Sequence, residues 1–417
     1  MRWSQLFTKT RREVSSSEAA ANARLLIQAG YIHKEMAGVY AYLPLGKRVL
    51  DKIANIVRQE MNGIGGLEVQ MTVLQPKELW QKTGRWDDNK IDNWFKTRLK
   101  NGSELGVGLT HEEPIVDAVG EYLKSYKDLP LLIYQIQNKF RNELRAKSGL
   151  LRGREFVMKD MYSFAASPRQ HDEIYQTVLE AYGRVYARLG IGEITFRTFA
   201  DGGIFTDKFS DEFQTISPVG EDTILVDRSK KVAVNQEIMR SPGLAKLGLN
   251  TDSMENARGV EVGNTFHLET KYTDALGVNF TDAEGKQQPV YMGCYGIGIS
   301  RLMGLLAEHF ADDKGLSWPD GVAPFKVHLL SLGQDKKIIE AADGLYDLFN
   351  SKQVEVFYDD RPARPGEKLA DSELLGIPHR LVVGHRFLQD GRFEYAARRD
   401  LSKAGLLTEE QIFATIL

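Results

Sequence analysis

Residues 134–164 read YQIQNKFRNELRAKSGLLRGREFVMKDMYSF, and their reading decides the fold. The run 131–143, LLIYQIQNKFRNE, reads as a strand. Residues 144–154, LRAKSGLLRGR, form a basic loop with two glycines, and 155–164, EFVMKDMYSF, reads as the returning strand. Together they predict an antiparallel hairpin with a long loop. The FRNE of the first strand places Phe140 and Asn142 on one face and Arg141 and Glu143 on the other. An isolated Arg-x-Glu is ordinarily a surface ion pair worth about 0–1 kcal/mol. Arg145, Lys147, Arg152 and Arg154 in the loop shift that reading, because phosphate recognition calls for planar, permanently charged donors.

Two further segments concentrate chemistry. MGCYGIGISRLMGLLAEH, 292–309, reads as a Gly-rich turn entering an amphipathic helix, with Arg301 in its first turn or two. Glycines allow close backbone approach and a helix amino terminus favours an anion. No parallel βαβ unit with a downstream acid surrounds it, so a dinucleotide fold is not indicated. LTHEEP, 109–114, sets Thr110, His111, Glu112 and Glu113 together. Taken alone it is a helix cap, with Thr110 capping and Glu113 reaching back. The paired-histidine spacing of metalloproteases is absent.

Outward from these motifs, apolar residues recur at helical spacing over 16–26 and 49–61. Residues 67–74, LEVQMTVL, alternate like a strand, and 80–94 read as a polar loop with aromatics, set over a site. A helix is expected over 172–189 and short strands over 194–226. Residues 229–258 are weakly patterned, punctuated by Ser241, Pro242, Gly243 and Gly248, and read as a connector or very small subdomain. Past Pro319 to Pro324 the pattern changes to alternating strand and helix, the signature of a small α/β domain with a largely parallel sheet. The expected domains are 1–320 and 324–417.

The 417 residues suffice for two or three domains. A net charge of -3 leaves any RNA contact to local basic patches. The single cysteine, Cys294, excludes a disulfide framework and a multi-cysteine zinc site. A reducing cytoplasm fits, and no segment has the length and apolarity of a membrane span or a secretory signal.

The three concentrations resemble, in order and form, the motifs of class II aminoacyl-tRNA synthetases, and the bacterial-type prolyl-tRNA synthetase family matches over nearly the whole chain. GVYAYLPLGKRVLDKI and LQPKELWQKTGRW resemble motif 1, YQIQNKFRNELRAKSGLLRGREFVMKDMYSF motif 2 and MGCYGIGISR motif 3. YDDRPARPGEKLADSELLGIPHRLVVG resembles the family's anticodon-binding domain. The resemblance implies an α+β catalytic domain on an antiparallel sheet, followed by a small α/β anticodon-binding domain. It implies ATP-dependent ligation of L-proline to tRNA(Pro) through a prolyl-adenylate, with Mg2+ carried by ATP, no separate metal site, and a homodimer built through motif 1. Carried over by position, Arg141 holds the α-phosphate, Glu143 the adenine amino group and Phe156 one adenine face. Arg152 holds the terminal phosphates, and Arg301 the γ-phosphate from the other side. Thr110 and Glu112 match the loop that grips the proline imino nitrogen, and Cys294 is placed with them. Arg361, Arg364 and Lys368 form the local basic cluster expected to meet the tRNA anticodon region.

The family's long editing insertion between motifs 2 and 3 has no room here. No cis editing is expected, and a separate trans-editing deacylase would compensate. Thr72 and Leu109 stand where the family usually has proline, Asp211 where it has histidine, and Thr206 and Asp207 where it has paired glycines. The last three are expected near the proline pocket and bear on amino-acid preference. The rival readings are a synthetase of the same subclass for threonine, glycine, histidine or serine, an inactive paralogue binding tRNA or a partner, and a free-standing editing protein. The presence of Arg141, Glu143, Arg152 and Arg301 favours an enzyme.

Overall fold

The computed structural model describes residues 1–14, 18–146, 148–203, 205–206, 208–241, 244 and 248–416. Lys147, Asp207, Pro242 and Gly243, singled out above, lie outside the described residues, as do residues 16 and 17 of the first expected helix. The chain divides into two compact units, Ala54–Ala146 with Leu151–Leu302, and Met1–Ile53 with Lys147–Leu150 and Met303–Leu417.

The first of these is built on a nine-stranded sheet. Its strands, in chain order, are β1 (Leu67–Glu68), β2 (Leu131–Phe140), β3 (Glu155–Ala165), β4 (Thr195–Ala200), β5 (Ser210–Ile216), β6 (Asp222–Asp227), β7 (Val232–Asn235), β8 (Glu255–Glu269) and β9 (Tyr291–Gly298). Their spatial order is β5-β4-β7-β6-β8-β9-β3-β2-β1, and β5 also pairs with β8. Only β4–β7 and β1–β2 are parallel. The expected hairpin is the β2–β3 pair, in register from Leu131↔Phe164 to Phe140↔Glu155.

Three local readings change. The strand stops at Phe140, because the next amides turn out of the ladder: Asn142 N donates to Asn93 O at 2.7 Å and Glu143 N to Arg141 O at 2.8 Å. The alternation argued for Arg141 and Glu143 therefore does not apply. The Gly-rich segment before Arg301 is not a turn but strand β9, antiparallel to both β3 and β8. Residues 229–258 are more than a connector, since Val232–Asn235 enter the sheet as β7 between β4 and β6.

Helix α1 spans Ala21–Gln28 and α2 spans Pro44–Gly63, burying Val49, Leu50, Ile53, Ile56, Val57 and Met61 as their helical spacing requires. Helix α3 (Glu112–Gly120) follows the LTH segment. Helix α4 (Pro168–Arg188) is capped by Ser167, which accepts from Gln170 N, with Pro168 at its first position. Its Tyr182 and Tyr186 rings pack on Phe213 of β5. Gly263 of β8 allows that approach: a Cβ there would stand 2.3 Å from the Tyr186 hydroxyl. Helix α5 (Ile299–His309) follows β9 directly, with Arg301 in its first turn.

The other unit contains a five-stranded sheet of β10 (Val327–Ser331), β11 (Val356–Asp359), β12 (His379–Val383), β13 (Phe393–Ala397) and β14 (Asp400–Leu407), ordered β11-β10-β12-β13-β14. The first three are parallel and the last two join antiparallel. Helices α6 (Lys336–Ser351) and α7 (Pro365–Leu375) supply the alternation read from the sequence. The expected basic cluster is not an exposed set. Lys368 is buried, its ammonium donating to Ser331 O at 2.8 Å and Asp359 O at 3.0 Å. Arg361 pairs with Asp359 at 2.7 Å and Asp371 at 2.8 Å and lies 3.5 Å over the Trp3 ring. Of the three, Arg364 alone is exposed. Among the described residues, no helix is long and apolar enough to cross a membrane.

Candidate active site

Helix α3 begins with two acids that are completely buried. Glu112 and Glu113 are both 0% exposed, and a buried carboxylate persists only where partners replace water. Thr110 does not cap the helix, whose cap position is His111. Instead its hydroxyl donates to both Glu112 oxygens at 2.8 Å. The Cys294 thiol, facing in from β9, donates to Glu112 Oε1 at 3.3 Å. Burial, then Glu112, push that thiol well above its ordinary pKa, so it remains a donor. The structure therefore brings Thr110, Glu112 and Cys294 together.

A fourth member escaped the sequence reading. Arg85, 4% exposed, donates from Nη1 to Glu112 at 3.1 Å and to Glu113 at 3.1 and 3.0 Å. Its guanidinium sits 5.0 Å from the ring of Trp80, 5.2 Å from Phe205 and 5.3 Å from Tyr272. Nε and Nη2 have no hydrogen-bond partner. Burial works against its charge, but Glu113 and then Glu112 outweigh it and hold the pKa above the ordinary value. Thr83 donates to Glu113 at 2.7 Å, yet burial still raises the Glu113 pKa. Two carboxyl groups share one guanidinium. A lone arginine flanked by Trp80, Trp86 and Trp94 was the signal in the sequence.

Behind Glu112, His111 Nε2 lies 2.9 Å from Thr72 O and Nδ1 2.8 Å from the Lys139 ammonium, which pairs with Asp160 at 2.8 Å. Burial, then Lys139, bring His111 down to about 4, so the ring is neutral. Thr72 takes part through its carbonyl, which is why a residue other than proline serves there. Leu109 is buried in a cluster with Leu79, Trp80, Ile91 and Trp94.

Asp211 is not at this pocket. It pairs with Thr265, which in turn pairs with Tyr295, so by strand alternation it lies on the face opposite Cys294. There it accepts from Tyr175 of α4 at 2.9 Å and pairs with Arg197 at 2.7 Å. The neighbouring departure reaches the pocket through Phe205, whose ring lies over Arg85 beside Thr206.

The nucleotide-type residues gather at the β2–β3 loop. Arg141 lies 5.2 Å over the Phe156 ring. Burial, then the nearby Arg301, lower its pKa. Arg152 pairs with Glu143 at 2.9 Å and Glu221 at 3.1 Å. Arg301 donates to Leu151 O at 2.9 Å and pairs with Glu261 at 3.0 Å. Arg152 and Arg301 line one cavity together with Glu221, Asp222 and Glu261. Above it Gln214 donates to Glu212 at 2.8 Å and Asp222 at 2.7 Å, while its own buried Oε1 has no partner. Burial, then Glu261, raise Glu212 to about 8. Arg145 is exposed on the loop.

The chain matches known proteins along most of its length. Residues 95–310 match the family described as tRNA synthetase class II core domain (G, H, P, S and T), and 326–416 match an anticodon binding domain. A proline–tRNA ligase of Rhodopseudomonas palustris is 37% identical, covering 97% of this chain and 98% of its own. One from Anaplasma phagocytophilum is 36% identical over 95% of this chain and 96% of its own. One from Burkholderia multivorans is 32% identical across 574 aligned positions, against 417 residues here. A crystal structure of prolyl-tRNA synthetase from Cryptosporidium parvum, complexed with halofuginone and AMPPNP, shares the fold with a TM-score of 0.78 at 15% identity, over 95% of this chain and 75% of that one.

Proposed function

This chain belongs to the proline–tRNA ligases of the class II synthetases, and from that premise we propose how its residues divide the work. The chain uses ATP to charge tRNA with proline.

The observation that carries the assignment is the Glu112 pocket. Its two carboxyl groups sharing Arg85 suit a secondary ammonium. Glu112 and the Thr110 hydroxyl receive the imino nitrogen, Cys294 contributes the small apolar wall, and Arg85 fixes Glu112 in place. On the nucleotide side, Arg141 meets the α-phosphate and Phe156 the adenine face. Glu143 takes the adenine amino group, Arg152 the terminal phosphates and Arg301 the γ-phosphate. Since Arg152 and Glu143 now bond one another, ATP binding exchanges that pair for ligand contacts.

The proline carboxylate attacks the α-phosphorus and pyrophosphate leaves. The nucleophile is already an anion, so no general base is needed, and the chain contributes positioning and positive charge on the phosphoryl oxygens. Mg2+ enters with ATP. Glu261 and Asp222 near the orphaned Gln214 oxygen offer hard-oxygen donors that fit it. When bound, it neutralises charge on the leaving phosphates. In the second step a terminal ribose hydroxyl of tRNA(Pro) takes the prolyl group from AMP.

We read 1–320 as the catalytic domain and 324–417 as the anticodon-binding domain, with Arg364 the exposed residue for RNA phosphate. With β7 occupying the segment between motifs 2 and 3, mischarged alanine falls to a separate deacylase. A homodimer acting in the cytoplasm completes the proposal. Amino-acid-dependent exchange of pyrophosphate into ATP, measured for all twenty amino acids, tests it. The strongest exchange is expected with proline, and alanine follows because missing methylenes discriminate by only about 1–3 kcal/mol. Strongest exchange with another amino acid would overturn the pocket assignment.

A further inference from the structure

On the sheet face opposite Cys294, the first turn of α4 meets the end of β8. One atom each from His171, Asp172 and His267 lie within 4.8 Å of one another. His171 Nε2 is 2.8 Å from His267 Nδ1, and Tyr175 stacks on the His267 ring with centroids 3.7 Å apart, so both imidazoles are held in place. His171 is 2% exposed, and its Nδ1 has no hydrogen-bond partner. That nitrogen is on the other edge of the ring from His267, which leaves Nε2 as the atom that faces the cluster. The backbone is shaped around the cluster as well. The β8–β9 register shifts between His267 and Glu269, and Glu269 adopts φ 55°, a left-handed conformation unusual for a residue with a side chain. Strain of this kind collects at binding sites.

We propose that His171, His267 and Asp172 bind a divalent transition-metal ion of the zinc or cobalt class. Two imidazoles and a carboxylate are the donors such ions take, whereas magnesium selects oxygen alone. The cation that accompanies ATP therefore belongs elsewhere. Bonds of about 2.0–2.1 Å to a tetrahedral ion place two ring nitrogens about 3.3 Å apart. That is half an ångström beyond the present 2.8 Å, within the reach of a small ring rotation. Glu269, now paired with Lys208, is a further carboxylate at the same end of β8. The ion would pin the start of α4 to the bulge of β8, and it makes no use of the residues assigned to ligation.

The test uses tag-free protein, stripped with a chelator and titrated with zinc chloride alone against a chromophoric competitor. One ion per chain is expected, together with a raised unfolding temperature and visible d–d bands when cobalt replaces zinc. His267→Gln and Asp172→Asn, neither buried, should each weaken zinc at least tenfold while proline-dependent exchange, the check on folding, stays unchanged. Zinc binding undiminished in both variants, or no binding tighter than scattered surface histidines provide, overturns the site. His171→Ala serves as a third variant if it folds.

Discussion

At the Glu112 end of the active site the charged side chains are out of water, while at the Arg152 end similar groups work half exposed. Glu112, Glu113 and Arg85 are 5% exposed or less, but Arg152 and Glu221 retain 48% and 45% of their side-chain exposure. The difference follows the ligands. A small amino acid can be chosen only where a missing charge or methylene is felt in a low-dielectric pocket. A triphosphate is large, highly charged and must leave as pyrophosphate, so its partners need reach and release rather than enclosure.

Substitutions at the two ends should part company in kind. Arg301→Ala, at the wet end, should lower proline-dependent exchange about 10³-fold or more, with the circular dichroism spectrum retained. Activity within tenfold of the parent would break the comparison. Glu112→Gln should raise the proline KM by about 30-fold or more, as expected when one partner of a buried charge pair is removed, and leave the ATP KM unchanged. A parallel rise in both constants would mean that the ends are not separate.

Glu212 tests whether the nucleotide end conceals a dry acid of its own. With its pKa raised from 4.5 to about 8, the folded protein keeps a proton there that the unfolded chain releases. Its stabilising share is thus complete below 4.5 and lost as pH rises towards 8. Glu212→Gln should remove that slope and be more stable than the parent by about 2 kcal/mol at pH 9, measured by denaturant unfolding. Identical slopes would place Glu212 in water. Arg85→Met should have the smallest effect at high pH. Without the guanidinium that opposes burial, Glu113 keeps a proton nearer neutrality. Proline affinity should then fall about tenfold from pH 8 to pH 6 while kcat moves little. A pH-independent loss would reduce Arg85 to a packing role.

How far the sequence could be read depends on whether a signal was local. The β2–β3 hairpin and the β10-to-β12 alternation declare themselves through periods that neighbouring residues set. Thr110, Glu112 and Cys294 meet from distant segments, and only the family resemblance joined them. Arg85 was hidden because its partners lie on other elements. Two misreadings were avoidable in principle. Lys368, Asp371, Ser372 and Leu375 fall on one helical stripe, and all four are buried. Asp211 shares its strand period with Phe213, whose ring already belongs to the α4 face. In both cases the burial period places the side chain where charge or motif position alone does not.

The pairing of β5 with β8 closes β5, β4, β7, β6 and β8 into a ring. Among the described residues the large sheet then has a single open border, at β1, a strand of two residues carrying the exposed Leu67. A sheet that can be extended from one side only has a valence of one. Two copies joining there would saturate each other, and growth by strand addition would terminate at a pair instead of running on into a fibre.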